Sequence, residues 1–211
     1  FLQDAGAVAF TNGLKSIENP KIFLRALNYA SSIDSLFIGH CEDYYLSRGV
    51  SATASAFATN MGLSSAPKET ELLGLERDSL LADLSNVNYH ASQITTEKSF
   101  LKIKELKSLR NKITAGISIH HLLFDETDIN NYRTFFKLSP PLRSKSDKLF
   151  ILQNINDNTI DTISSFHLPQ DEESKRLPFE VAATGAVGLE TLLPACLKLV
   201  HEEYLTLPNL F

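Results

Sequence analysis

Ser35-Leu36-Phe37-Ile38-Gly39-His40-Cys41-Glu42-Asp43 is the stretch that decides the fold. A short apolar run closed by glycine reads as a buried strand rather than a helix, and its end opens at once onto an imidazole, a thiol and two carboxylates. The same grammar recurs along the chain. Ala7-Val8-Ala9-Phe10 ends at Thr11-Asn12-Gly13, Val87–Ala91 runs out at Ser92 and Gln93, Lys112–Ile117 leads to His120-His121, and Ile160–Ser165 runs into Phe166-His167-Leu168-Pro169. Helical patterns lie between them: Ile22, Phe23, Ala26, Leu27 and Ala30; Glu69–Leu84 with an expected apolar face of Leu72, Leu73, Leu80 and Leu84; Ser99–Leu109; and Ser146–Asn154. Strands alternating with helices predict a parallel sheet buried on both faces, in one α/β domain spanning residues 1–211. Periodicity fits an open sheet and a closed barrel alike. In both, functional groups belong where strands end and loops begin.

Composition narrows the function classes. The 211 residues are 43% hydrophobic and 21% charged, enough apolar matter for a sizeable core. A formal net charge of −5, with no dense Lys/Arg patch to offset it, argues against nucleic acid and anionic membranes as partners. No apolar run approaches the roughly 18 residues of a membrane span. Cys41 and Cys196 stand far apart in unlike contexts, which suits a reduced, cytoplasmic protein. The opening Phe1-Leu2-Gln3-Asp4 has neither an initiating Met nor a basic leader, so the chain is expected to be a piece of a longer protein.

The strand ends hold the candidate chemistry. His40 could ligate a divalent metal with Glu42 or Asp43 orienting it, although a hydrogen-bonded structural histidine is the stronger reading. Gln93 offers only an amide oxygen, a poor ligand, and His90 has the opposite strand parity, so the two are not expected to serve one site. His120 and His121, taken as extended, point apart and are expected to be structural. Pro140-Pro141 is a rigid turn delivering Arg143, either to a ligand carboxylate or to a local acid that locks the loop. Gly185–Thr191 reads as a tight loop opening a helix. Neither a nucleophile elbow nor a phosphate-loop motif is present.

In combination these segments resemble one family. Ala5-Gly6-Ala7-Val8-Ala9-Phe10, His40-Cys41-Glu42-Asp43, His120-His121-Leu122-Leu123, Pro140-Pro141-Leu142-Arg143, Asn158-Thr159-Ile160-Asp161 and Gly188-Leu189-Glu190-Thr191 stand in the order seen in dihydroorotases. The resemblance covers nearly the whole chain. It implies the (β/α)8 TIM-type barrel of the metal-dependent amidohydrolases, of which this chain would be the middle and C-terminal part, incomplete at both ends.

Carried over position by position, His40 matches a metal-binding histidine. Asn12 and Gly13 stand where the family has an Asp-Asp pair that includes a metal-bridging aspartate. Gln93 stands for the ligand histidine of a His-x-x-His segment whose first histidine is His90. Ser139 replaces a substrate-contacting asparagine, Arg143 matches the arginine of that motif, and Gln170 replaces a substrate-holding histidine. Phe166 takes the place of the metal-binding, proton-carrying aspartate. The wording of Ala115–Ile119, Phe136–Pro141 and Lys175–Phe179 is most similar to divergent dihydroorotase-like proteins of α-proteobacteria. The resemblance implies a protein of pyrimidine biosynthesis that is catalytically silent, binds no cofactor, forms a homo-oligomer and partners the aspartate transcarbamoylase catalytic subunit. The alternative is an active cyclic amidohydrolase (a dihydroorotase, or one with a hydantoinase-like activity) that holds zinc in a rebuilt site.

Overall fold

A computed structural model describes residues 1–109 and 112–211. The chain runs β1 (Ala9–Thr11), α1 (Pro20–Ser32), β2 (Leu36–Gly39), α2 (Tyr44–Ser47), β3 (Ala52–Thr53), α3 (Ala56–Asn60) and β4 (Ser65–Ala66). It continues through α4 (Glu69–Leu84), β5 (Asn88–Ala91), α5 (Glu97–Leu109), β6 (Ile113–Ser118), α6 (Ile119–Leu123) and α7 (Lys145–Asn154). β7 (Thr162–Ser164), α8 (Glu172–Arg176), α9 (Leu192–His201) and α10 (Leu207–Leu210) complete it. Local chemistry sets several starts. The Asn19 side chain accepts from the amides of Lys21 and Ile22, and Pro20 opens α1 with its fixed φ. Glu69 and Glu71 occupy the first turn of α4, where a carboxylate suits the positive end of the helix.

Five strands form a wholly parallel sheet in the order β1-β2-β5-β6-β7, and β3 and β4 form a separate parallel pair. The sheet is two-faced. Phe37, Tyr89 and Ile113 stand in one register row and Ala91 and Ala115 in another. They pack on Phe23 and Leu27 of α1, Leu75 and Ala82 of α4, and Phe100 and Ile103 of α5, all buried in one core. The opposite face carries the row Ile38, His90, Thr114, followed by Gly116 beside Thr162 and Ser118 beside Ser164. His90 and Thr114 are partly buried there, and Gly116 and Ser118 are buried. Helices take Phe37, Tyr89, Ile113 and two alanines, and the row pointing the other way mixes Ile38 with an imidazole, hydroxyls and a glycine.

A second core, Ala52, Ala58, Leu63, Ile129, Leu138, Leu142 and Phe179, lies under the loops at the C-terminal edge of the sheet. It ties the excursion after β2 to the segments after β6 and β7.

Two local readings need correction. On α4 the buried positions are Thr70, Glu71, Gly74, Leu75, Asp78, Ser79 and Ala82, whereas Leu73, Leu80 and Leu84 are exposed. Polar partners elsewhere in the fold satisfy Glu71 and Asp78, so carboxylates occupy the inner face. His120 and His121 are not extended: Ser118 ends β6, and the histidines sit in the helical turn α6.

Candidate functional site

The C-terminal edge of the sheet gathers most of the expected site residues, but each is committed differently. Asn12 is exposed and closes its own turn, its side-chain amide donating to Lys15 O at 2.9 Å. His40, just past β2, is buried; its Nε2 pairs with Glu42 Oε2 at 3.0 Å, and its Nδ1 has no partner. Glu42 Oε1 in turn lies 3.8 Å from the Arg143 guanidinium.

Arg143, delivered by its rigid turn, is buried and meets a local acid. Its Nε donates to Thr95 Oγ1 at 2.9 Å, one terminal nitrogen to Thr53 Oγ1 at 3.0 Å, and the other to Glu71 Oε2 at 3.2 Å. Glu71, 0% exposed, also accepts from the amides and hydroxyls of Thr95 and Thr96. The guanidinium thus locks the loop to α4 through a fully hydrogen-bonded buried acid, the arrangement in which a buried charge is tolerated.

Gln93 is 2% exposed. Its amide nitrogen donates to Ser164 Oγ at 3.2 Å, tying the end of β5 to β7 across β6, while its Oε1 is buried without a partner. His90 points onto the open face, with Nδ1 2.8 Å from Thr114 Oγ1, and burial holds its pKa below the usual imidazole value. Gln93 lies past the end of β5 at Ala91, and the two side chains have different partners, Thr114 and Ser164. His121 Nε2 meets Pro140 O at 3.0 Å and must donate, so its Nδ1 accepts from Ser118 Oγ at 2.9 Å. Burial, aided by the Arg143 charge, pushes this imidazole down to about 4. His120 keeps an unpartnered Nε2 inside, and its pKa too is lowered by burial.

Phe166 sits just past β7 with φ +45°, a left-handed backbone seldom adopted by a bulky side chain. It has neither a lone pair nor a proton to offer. Beside it, His167 Nδ1 accepts from the amides of Gly188 and Leu189, both at 3.2 Å, which fixes the loop ahead of α9. Gln170 donates to Thr184 O at 3.0 Å.

Two neighbouring cavities of about 290 Å³ each open at this edge, sharing Glu42, Ser47 and Ser139. One adds Lys137, Arg143, Glu180 and Thr184, and the other His40, Lys15, Tyr44 and Arg48. Gln93, Phe166 and Gln170 line neither. Among the described residues no group of three or more His, Cys, Asp or Glu could hold a metal ion. The donor chemistry agrees: Glu42 takes one nitrogen of His40, Gln93 is turned to Ser164, and Phe166 cannot ligate. These residues do not fit a catalytic zinc, which wants three protein ligands and an open position. Among the described residues no helix is long and apolar enough to cross a membrane.

Sequence reasoning passed over two buried polar residues, Glu71 and Lys137. Of the two carboxylates expected beside His40, Glu42 is the one that pairs with it, and it bridges His40 to Arg143. Lys137, set between Phe135-Phe136 and Leu138, was the one visible from pattern, since a lone cation in an apolar run must find partners. It donates to Glu180 O at 2.8 Å, and burial lowers its pKa.

Comparison with known proteins bears on the family. A family profile described as Dihydro-orotase-like matches residues 1–99. The dihydroorotase of Bacillus licheniformis is 37% identical over 193 residues, covering 92% of this chain and 45% of that protein. That of Ehrlichia canis is 34% identical over 210 residues, 99% of this chain and 47% of that protein. The chain thus spans about half the length of the curated relatives it matches. Among solved structures, an L-hydantoinase (dihydropyrimidinase) from Arthrobacter aurescens superposes with a TM-score of 0.86 at 21% identity, over 99% of this chain and 49% of that one. A Saccharomyces cerevisiae dihydroorotase in complex with 5-fluoroorotic acid gives 0.74 at 15% identity, over 99% of this chain and 58% of that one. At those identities the structures speak for the fold, the TIM-type barrel of the amidohydrolases, to which the parallel βα units here correspond. With the strand-end motifs and the curated relatives agreeing along almost its entire length, the chain belongs to the dihydroorotase family.

Proposed function

We propose that the protein is a dihydroorotase homologue of pyrimidine biosynthesis that has lost the hydrolytic reaction and serves in the cytoplasm as a structural partner of the aspartate transcarbamoylase catalytic subunit. In this reading it belongs with the divergent α-proteobacterial proteins that its wording resembles. The observation that carries the silence is Phe166 at the end of β7, in the place of the family's proton-carrying aspartate. Opening a cyclic amide needs a water made acidic by a metal and a base to take its proton. Phe166 supports neither step, and Gln93 spends its amide on Ser164. The partnership rests on the resemblance alone.

The experiment uses the full-length protein with excess zinc. No turnover of dihydroorotate or carbamoyl aspartate is expected, together with co-purification with the aspartate transcarbamoylase catalytic subunit. Robust metal-dependent turnover would overturn the proposal.

A second reading, an active cyclic amidohydrolase with a rebuilt zinc site, draws on the unpartnered Nδ1 of the buried His40 and on the two cavities that meet at Ser139. Metal analysis separates the two: stoichiometric zinc, lost on His40→Ala, supports the enzyme, and its lack supports the silent homologue.

A further inference from the structure

Two lysines are buried where the segments after β6 and β7 meet, Lys137 at 6% and Lys175 at 8% exposure. Among the described residues neither is paired with a carboxylate. Lys175, on α8, donates to two main-chain carbonyls, Thr134 O at 3.0 Å and Ala183 O at 2.8 Å. Lys137 donates to one, Glu180 O at 2.8 Å, and has the Phe179 ring centroid 5.9 Å from its Nζ. The Glu180 carboxylate is taken up by the Ser51 hydroxyl at 2.9 Å and the Ser64 amide at 2.8 Å. An ammonium buried without a counter-charge is unfavourable, and a lysine responds by releasing its proton more readily. Burial accordingly lowers the pKa of both, at Lys137 against the nearby Glu180 charge and at Lys175 with the help of the Lys137 charge.

Access separates the two. Lys175 lines neither strand-end cavity, whereas Lys137 stands in the wall of the one that holds Ser139, Arg143 and Thr184. A purely structural lysine is closed off and used up by carbonyls, as Lys175 is. Lys137, once neutral, gives one N–H to Glu180 O and keeps its lone pair beside open space.

We propose that Lys137 is a nucleophilic amine that captures a small polar aldehyde or ketone in this cavity as an imine. A desolvated lysine with a second cationic group nearby is a form in which an amine attacks a carbonyl. The Nζ lone pair bonds to the carbonyl carbon, the amine gives up both protons, the carbonyl oxygen leaves with them as water, and a C=N double bond remains. The Ser139 and Thr184 hydroxyls suit a ligand with hydroxyls of its own, and about 290 Å³ admits a molecule of a few carbons. Lys137 is not among the positions carried over from the family, and imine formation needs no metal. The inference therefore stands apart from the proposed loss of hydrolysis.

The test is reductive trapping. Full-length protein is incubated at neutral pH with glycolaldehyde, sodium cyanoborohydride and a metal chelator, and adducts are located by peptide mass spectrometry. Cyanoborohydride delivers hydride to the imine carbon, leaving a hydroxyethyl group on the lysine as a stable secondary amine. The adduct is expected on Lys137 first, ahead of the exposed Lys21 and Lys145, with Lys175 unmodified. Unfolding in urea should abolish that preference, and Lys137→Arg, which keeps the cation, should lose the early adduct. Exposed lysines labelled ahead of Lys137, as a closed structural cation would give, overturn the proposal. So does a Lys137 adduct that forms no faster in the folded protein than in urea.

Discussion

Asp78 lies beneath the sheet with Oδ2 accepting from the Tyr89 hydroxyl at 3.0 Å and Arg77 beside Oδ1 at 2.7 Å. Since Tyr89 spends its proton there, Cys41 Sγ, 3.2 Å from the same hydroxyl, donates to it. Burial nevertheless pushes the Asp78 carboxyl from 3.8 up to about 6, while His121 is pushed from 6.5 down to about 4. The signs oppose. The stabilisation linked to Asp78 is fully present below 3.8 and is lost as pH rises through 6. That linked to His121 is fully present above 6.5 and is lost as pH falls through 4. Each shift of more than two pH units corresponds to about 3 kcal/mol. Urea unfolding of the parent chain is therefore expected to vary little from these two groups between pH 4 and 6.5. Asp78→Asn should expose a fall of about 3 kcal/mol on acidification through that window, and His121→Asn a rise of about the same size. Parallel pH profiles for all three proteins would refute the pairing. Arg143 offers a second test at this scale. Arg143→Ala strands Glu71 in the core and should cost about 3–5 kcal/mol in urea unfolding. Arg143→Lys should recover little of it, because Thr53, Thr95 and Glu71 lie in three directions that only a guanidinium spans.

Helix α4 shows at the scale of an element what pattern reading captures and what it misses. Its bounds, Glu69–Leu84, follow from the sequence as expected, the strands at Leu36–Gly39 and Asn88–Ala91 fall within the expected runs, and Ile113–Ser118 ends one residue past its own. Its orientation does not follow, because hydrophobicity alone ranks Leu80 above Asp78 for burial. The core takes Asp78 and Glu71 because Tyr89, Arg77, Thr95, Thr96 and Arg143 arrive from distant segments to bond them, and one helix cannot reveal such partners. The β3–β4 pair and α3 escaped notice for a related reason: they are short and held by the loop core of Leu63, Ile129 and Phe179 rather than by a pattern of their own. Two substitutions measure the orientation. Leu75→Ala should cost about 2–5 kcal/mol in urea unfolding as a cavity opens, and Leu73→Ser, studied at a concentration where the chain is monomeric, should stay within about 0.5 kcal/mol of the parent. A reversal of that ranking would return α4 to its expected face. Of the site, the strand-end positions were legible because a parallel sheet puts loops there. The commitments of Arg143, Gln93 and His121 were not, since each depends on a partner 19 or more residues away.

At the scale of the whole molecule the strand ends of this dihydroorotase-family chain are joined by hydrogen bonds, Gln93 to Ser164 and His121 to Pro140. Thermal unfolding of the full-length protein is therefore expected to ignore added zinc and added chelator alike. Gln93→His/Phe166→Asp should gain a zinc-dependent rise in melting temperature, since a ligand bound only by the folded state stabilises it. A zinc-dependent rise in the parent chain would count against the hydrogen-bonded reading. The sheet order β1-β2-β5-β6-β7 has one more consequence. Strand order is chain order, so each strand, as it leaves the ribosome, meets an edge already built by the strand before it. The closing loops stay local, and assembly can keep pace with translation from the first βα unit to the last.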